Sequence, residues 1–273
     1  MEAADGNANE VAGVAELYEH VYAALSESNK VLDFASHPPT YFRRSNIVIK
    51  AMKDPVDLAA CSTMGHLYVA DWAGQCVWLV KIDNHDCATS DGDTAAVHWA
   101  TIDGGPRSLS VTRSGQVLVL DDTVGILLIY TSQGERLDVI SLKDKGLSGS
   151  NHALQTLTNN FLVCHGRWDA TINRVCEIDE NGRLLHEFGG RRGHGMGQVS
   201  RPFRLVEDDV GSHWFTVDDR KVIVFNKHLC YERVLIRAPP ELDCHRNRAL
   251  CYNRGTRRLC VAWGWRYIDI YTI

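Results

Sequence analysis

Apolar positions along this chain follow two rhythms. Between residues 10 and 26 they fall at Val11, Val14, Ala15, Tyr18, Val21, Tyr22 and Leu25, in steps of 3, 1, 3, 3, 1 and 3. That spacing lies on one helical stripe and predicts an amphipathic helix. A helix so short is marginal alone in water, so the stripe is expected to dock on the main domain or on a second copy. Residues 1–9 read as a disordered start, and Pro38–Pro39 as a linker. After residue 45 the rhythm changes to short β-rich runs separated by turn residues.

One of these runs recurs: a turn, an apolar triplet, then a closing polar or bulky residue. It appears as GHLYVAD (65–71), GQVLVLD (115–121), NNFLVCH (159–165), SHWFTVD (212–218) and RRLCVAW (257–263). The closing residues are 50, 44, 53 and 45 positions apart. A second strand follows each copy: CVWLV, ILLIY, VCEID, VIVF and YIDIY. A short strand precedes each: PVDLAA, PRSLSV, NHALQTL, PFRLVE and NRALCY. Repeats of about 45 residues with three or four strands are the signature of a β-propeller, whose blades bury their faces only against neighbours. The expected fold is all-β, a six-bladed propeller spanning 31–273, with residues 31–50 supplying a degenerate first blade after the helical segment 1–30. Pairing of an N-terminal strand with the last blade is the expected closure.

The repeat resembles the NHL family. The resemblance rests on GHLYVADWAGQCVWLV (65–80), on WFTVDDRKVIVF (214–225) and on the glycine-rich joint EFGGRRGHGMGQVSRP (187–202), and it covers about residues 51–273. The departures are Cys164–His165 and Trp263 in place of the closing Asp, and Asn151 and Asn247 in place of Pro. The resemblance implies a recognition domain, as at the end of tripartite-motif proteins, that binds protein partners or single-stranded RNA. Related six-bladed propellers include metal-dependent lyases and hydrolases with axial sites. The RING and B-box Cys/His spacings of tripartite-motif proteins are absent from this chain.

Composition narrows this picture. With 29 basic and 34 acidic residues the formal net charge is −5, which argues against coating nucleic acid through bulk charge. No apolar run approaches the ~18 residues of a membrane helix. The start lacks the order of a signal peptide, no N-x-S/T site occurs, and the nine cysteines are an odd number. These features read as reduced thiols and a cytoplasmic location, with Cys61 and Cys76 the first pair to examine for a bridge.

Candidate chemistry falls into three groups. The closing residues Asp71, Asp121 and Asp218 recur once per blade, which suits caps on turn N–H groups better than a catalytic dyad. The inner strands align Asp57, Ser108, His152, Arg204 and Ala249 at one place facing the propeller axis, so they are candidates for an axial binding site. No H-x-x-x-H, H-E-x-x-H or C-x-x-C spacing supports zinc, so neither a metal nor a cofactor is expected. The third group is a face: Arg191, Arg192, Arg201, Arg246 and Arg248, with Trp72, Trp168 and Trp263 as an aromatic rim.

The run Gly189–Gly197 opens no helix and reads as a blade joint, not a phosphate loop. The expectation is a recognition module that binds a protein partner through one propeller face. Single-stranded RNA on the arginine face and an axial metal-dependent hydrolase or lyase are the two rivals.

Overall fold

The computed structural model describes residues 10–35, 42–82, 96–166, 169–240, 248–263 and 267–273. It forms six antiparallel sheets in chain order. Blade 1 holds β1 (Val11–Leu17), β2 (His20–Leu25), β3 (Lys30–Ala35) and β4 (Phe42–Val48). Blade 2 holds β5 (Pro55–Cys61), β6 (His66–Asp71), β7 (Cys76–Lys81) and β8 (Ala96–Thr101). Blade 3 holds β9 (Ser108–Val111), β10 (Val117–Asp121), β11 (Ile126–Tyr130) and β12 (Arg136–Ser141). Blade 4 holds β13 (Ser150–Gln155), β14 (Phe161–His165), β15 (Ile172–Ile178) and β16 (Leu184–Arg191). Blade 5 holds β17 (Pro202–Glu207), β18 (His213–Asp218), β19 (Lys221–Asn226) and β20 (Tyr231–Arg237). Blade 6 holds β21 (Arg248–Asn253), β22 (Arg258–Trp263) and β23 (Tyr267–Thr272). The fold is therefore a six-bladed β-propeller, as the repeat predicts. No helix among the described residues is long and apolar enough to cross a membrane.

The predicted N-terminal helix is not formed. Its residues are the hairpin β1–β2, the two innermost strands of blade 1. Tyr18 and Glu19 both have positive φ, the geometry of a two-residue hairpin turn, but neither is a residue that announces one. Every residue of β1 is buried, because an inner strand is covered by neighbouring blades on both sides. A strand buried on both faces loses its period of two, and here its apolar positions imitate a helical stripe.

Closure also differs from the expectation. β1 pairs with β2 inside its own sheet, and the last blade has three strands among the described residues. The ring closes by packing: Val11, Val14, Val21 and Phe34 of blade 1 share one core with Ala249, Cys260, Ala262 and Ile268 of blade 6. The other blade seams are built likewise from the two inward faces of adjacent sheets.

The outer strands were the hardest to read from sequence. β12 and β16 are mostly exposed and carry little apolar signal. Cys61 and Cys76 are both free thiols. They pair with His66 and Asp71, at opposite ends of β6, so they lie about 17 Å apart along the sheet and form no bridge.

The closing aspartates cap turns. Asp71 accepts from the N–H groups of Lys53 (3.0 Å), Asp54 (2.9 Å) and Gly74 (3.0 Å) and from Trp78 Nε1 (3.1 Å). Asp121 accepts from Gly104, Thr123 and Val124, and Asp218 from Ser200 and Arg201. Each joins the end of one blade's second strand to the chain entering that blade. Where Asp is replaced, His165 Nε2 instead bonds Ser148 O at 3.0 Å, and Trp263 Nε1 donates to Asp269.

Candidate functional site at the channel mouth

The six inner strands run side by side around the axis, all in one direction. Four of them begin with a register shift, between Val11 and Gly13, Pro55 and Asp57, Ser150 and His152, and Pro202 and Arg204. The extra residue is a bulge, which re-aims the side chain that follows it. In blades 2, 4 and 5 the side chains so placed are the axial residues Asp57, His152 and Arg204, with Gly13 as the unrecognised member in blade 1; Ser108 and Ala249 lie on strands paired without a shift.

The axial side chains reach the next blade's backbone. Asp57 Oδ2 accepts from Leu109 N at 2.8 Å, and His152 Nδ1 accepts from Leu205 N at 3.3 Å. At the matching place a Cβ on Gly13 would sit 2.5 Å from Leu58 N, so only glycine lets blades 1 and 2 approach this closely. Ser108 is too short to follow the pattern; its Oγ is buried and without a partner.

Arg204 instead crosses the axis from blade 5 to blade 2, the blade directly opposite. It pairs with Asp57 at 3.1 Å and donates to the carbonyls of Asn151 (3.1 Å) and Val56 (3.2 Å). Both side chains of the pair are less than 5% exposed. Below it, the guanidiniums of Arg107, Arg201 and Arg204 lie 5.2–5.7 Å from the centre of the buried Phe203 ring. This end of the channel is filled.

Burial raises the Asp57 carboxyl, against the opposing pull of Arg204 and the Leu109 N–H. Burial and the nearby Arg204 charge hold the His152 imidazole well below its ordinary value, so it stays neutral. Asp57, His152 and Arg204 therefore converge as the sequence alignment predicts, and all three are engaged in holding blades together. Among the described residues no cluster of three or more His, Cys, Asp or Glu side chains could hold a metal ion.

The opposite end is open. A cup of about 380 Å³ extends from Asp57, His152 and Arg204 at its floor to the hairpins that follow the inner strands. Its most distinctive wall is Glu207, three residues past the axial position in β17. The Glu207 side chain is only 2% exposed and accepts from Leu157 N (3.1 Å) and Trp214 Nε1 (3.3 Å). Two arginines share its other oxygen: Arg254 at 3.4 Å and Arg113 at 3.6 Å, each nearly two-fifths exposed. Burial and the neighbouring Arg113 charge lower the Arg254 pKa, against the opposing pull of Glu207 and Asp208. The equivalent position in blade 1 is Glu16, which bonds Arg258 and, at 3.3 Å, Thr256 of blade 6.

The sequence reading did not find Glu207, Arg113 or Arg254 as a unit. Extending the inner-strand alignment by three residues would have shown polar groups at Gln155, Glu207 and Tyr252; Glu16 completes the ring from the unrecognised blade 1.

The described members of the arginine face lie elsewhere. Arg191 ends an outer strand and, with Arg192 and Arg201, sits in the joint that enters β17, on the sealed face. Trp72 is exposed on that face. Trp263 is fully buried against Asp269 and cannot belong to an exposed rim, because it fills the core shared by blades 5 and 6. Trp168 and Arg246 lie outside the described residues, as does the side chain of Arg248.

No family model matches the chain, and no curated protein matches it by sequence. Solved structures match its fold. A protein of unknown function from Bacteroides thetaiotaomicron aligns over 100% of this chain and 71% of its own, with a TM-score of 0.69 and 14% identity. A chain of the nidogen/laminin complex aligns over 90% of this chain and 94% of its own, with a TM-score of 0.62 and 12% identity. Virginiamycin B lyase from Staphylococcus aureus aligns over 100% of this chain and 87% of its own, with a TM-score of 0.58 and 12% identity. At such identities the likeness is one of fold: the chain is similar to diverse β-propellers, in enzymes and in a protein–protein complex alike.

Proposed function

We propose that this propeller is a recognition module that binds a protein partner at its open mouth, with an acidic side chain of the partner seated between Arg113 and Arg254. The observation that carries this reading is the sharing of one buried carboxylate by two half-exposed guanidiniums. Two guanidiniums on one buried carboxylate leave exposed donors at the wall of a concave site, where an incoming carboxylate gains a bidentate partner. The surrounding cup supplies neutral polar groups and aromatic rings from Tyr18 and Tyr252. Use of a like fold in the nidogen/laminin complex supports a protein-binding role by analogy. The aspartate-capped repeat keeps the NHL-type reading as the closest description of the blades.

The sealed face, with Arg191 and Arg192, is the competing surface and the one an RNA would use. Capture of partners from native extract, with and without RNase, separates the two. The expected result is RNase-resistant capture that Arg113→Glu with Arg254→Glu abolishes and Arg191→Glu with Arg192→Glu leaves intact. Capture lost only with the second pair, or lost with RNase, overturns the choice of the mouth.

A further inference from the structure

Blade 6 brings two thiols together that the sequence separates by eight residues. Cys251 on β21 and Cys260 on β22 are direct cross-strand partners. Opposed residues on antiparallel strands have Cα atoms about 4.5–5.5 Å apart, inside the range that a disulfide spans. Both are free thiols. They differ in access: Cys251 is half-buried and lines the cup, whereas Cys260 is fully buried behind it. The Cys260 thiol donates to Glu16 Oε2 at 3.6 Å, across the seam where blade 6 meets blade 1. Contact with Cys251, burial and the Glu16 charge together push the Cys260 thiol well above its ordinary value. Of the other buried cysteines, Cys61 also lines the cup, but its cross-strand partner is His66 and not a thiol; Cys76, Cys164 and Cys176 line no part of it.

We infer that Cys251 and Cys260 form a dithiol oxidation site, at which a small hydroperoxide entering the cup converts the pair to a cross-strand disulfide. Cys251 meets the oxidant first. Its sulfur attacks one peroxide oxygen, the O–O bond breaks, and the departing hydroxide takes the thiol proton and leaves as water. Cys251 is then a sulfenic acid. The Cys260 sulfur attacks the Cys251 sulfur and the S–O bond breaks. The leaving hydroxide takes the Cys260 proton by way of Glu16 and departs as a second water. Two thiols and one hydrogen peroxide thus give one disulfide and two waters. The pairing ties the inner strand of blade 6 to its neighbour beside the ring's closing seam. A dithiol reductant reverses it.

The test uses the full reduced chain and hydrogen peroxide. Products are read by peptide mapping after thiol alkylation, on monomer isolated without reductant. The expected product is a linked Cys251–Cys260 peptide that dithiothreitol removes and that forms before Cys61, Cys76, Cys164 or Cys176 is lost. In Cys260→Ser, a sulfenic acid at Cys251 becomes trappable with dimedone, and it is not trappable in the parent. The inference is overturned if both residues stay alkylatable after the exposed Cys230 is fully oxidised. It is equally overturned if Cys251 in the parent proceeds to sulfinic acid while Cys260 remains a thiol. Should Cys260→Ser fail to fold, Cys251→Ser decides the order: it should leave Cys260 inert to peroxide, and rapid oxidation of Cys260 there overturns the assigned entry through Cys251.

Discussion

The two ends of the channel use the same chemistry to opposite effect. At the sealed end Arg204 and Asp57 face each other across the axis, almost wholly out of water. At the mouth Arg113 and Arg254 share Glu207 while keeping much of their guanidinium surface wet. A buried ion pair gains little net stability, because desolvation offsets attraction, yet removing one partner strands the other. The mouth arginines are less tied: Arg113 also donates to the carbonyls of Asp209 (3.0 Å) and Asp208 (3.4 Å), yet both guanidiniums keep exposed surface for a further partner. Burial, more than residue type, thus separates the structural arginine from the available ones.

The largest effect should come from breaking the sealed end. Arg204→Met leaves Asp57 buried and unpaired and should cost about 3–5 kcal/mol in denaturant unfolding. Asp57→Leu combined with Arg204→Met should recover most of that loss. If the double variant is no better than the single, the pair is not an isolated couple, and the contacts of Arg204 with Val56 and Asn151 carry the stability. Next in size is Gly13→Val. Its Cβ would meet the blade 2 backbone at Leu58, so a loss of roughly 1–3 kcal/mol is expected from overpacking. An unchanged unfolding midpoint would show that blades 1 and 2 have room to part.

A pH series sharpens the contrast further. The folded-state pKa of His152 lies below the unfolded value of about 6.5, so below that pH the unfolded chain binds the extra proton. Stability is therefore full above pH 6.5 and falls as the pH drops toward the folded value, by at most about 1.4 kcal/mol per unit for this group. His165 is lowered by burial too and adds a slope of the same sign. His152→Gln should flatten, but not abolish, the acid-side slope in urea unfolding between pH 7.5 and 5.5. An identical slope in the variant would remove His152 from the account. The smallest stability effect is expected at the mouth. Arg113→Ala should change unfolding by less than about 1 kcal/mol while weakening partner capture. A large stability loss there would mean that the mouth is as structural as the floor.

Much of this fold was legible because a blade repeats its own local rules. The turn, the apolar triplet and the closing residue recur near every 45 residues, and where that residue is Asp it caps turns within its own blade. The first blade escaped because Tyr18–Glu19 is a turn without glycine or asparagine, and because β1 is buried on both faces. The axial set was legible as an alignment, since Asp57, His152 and Arg204 follow the same bulge at the start of their strands. Its partners were not: the contact of Arg204 with Asp57 joins residues that only ring closure brings together.

The sequence by itself determined the all-β class, five of the six blades and the aspartate caps. These depend on interactions within about 45 residues, which periodicity reports directly. The tertiary structure alone decided which end of the channel is filled, which carboxylate the two mouth arginines share, and which two of the seven described cysteines are cross-strand partners. Those outcomes depend on strand register and on opposing blades meeting at one axis. A register shift of a single residue would turn every side chain of a strand to its other face, and no local pattern in the chain records that choice.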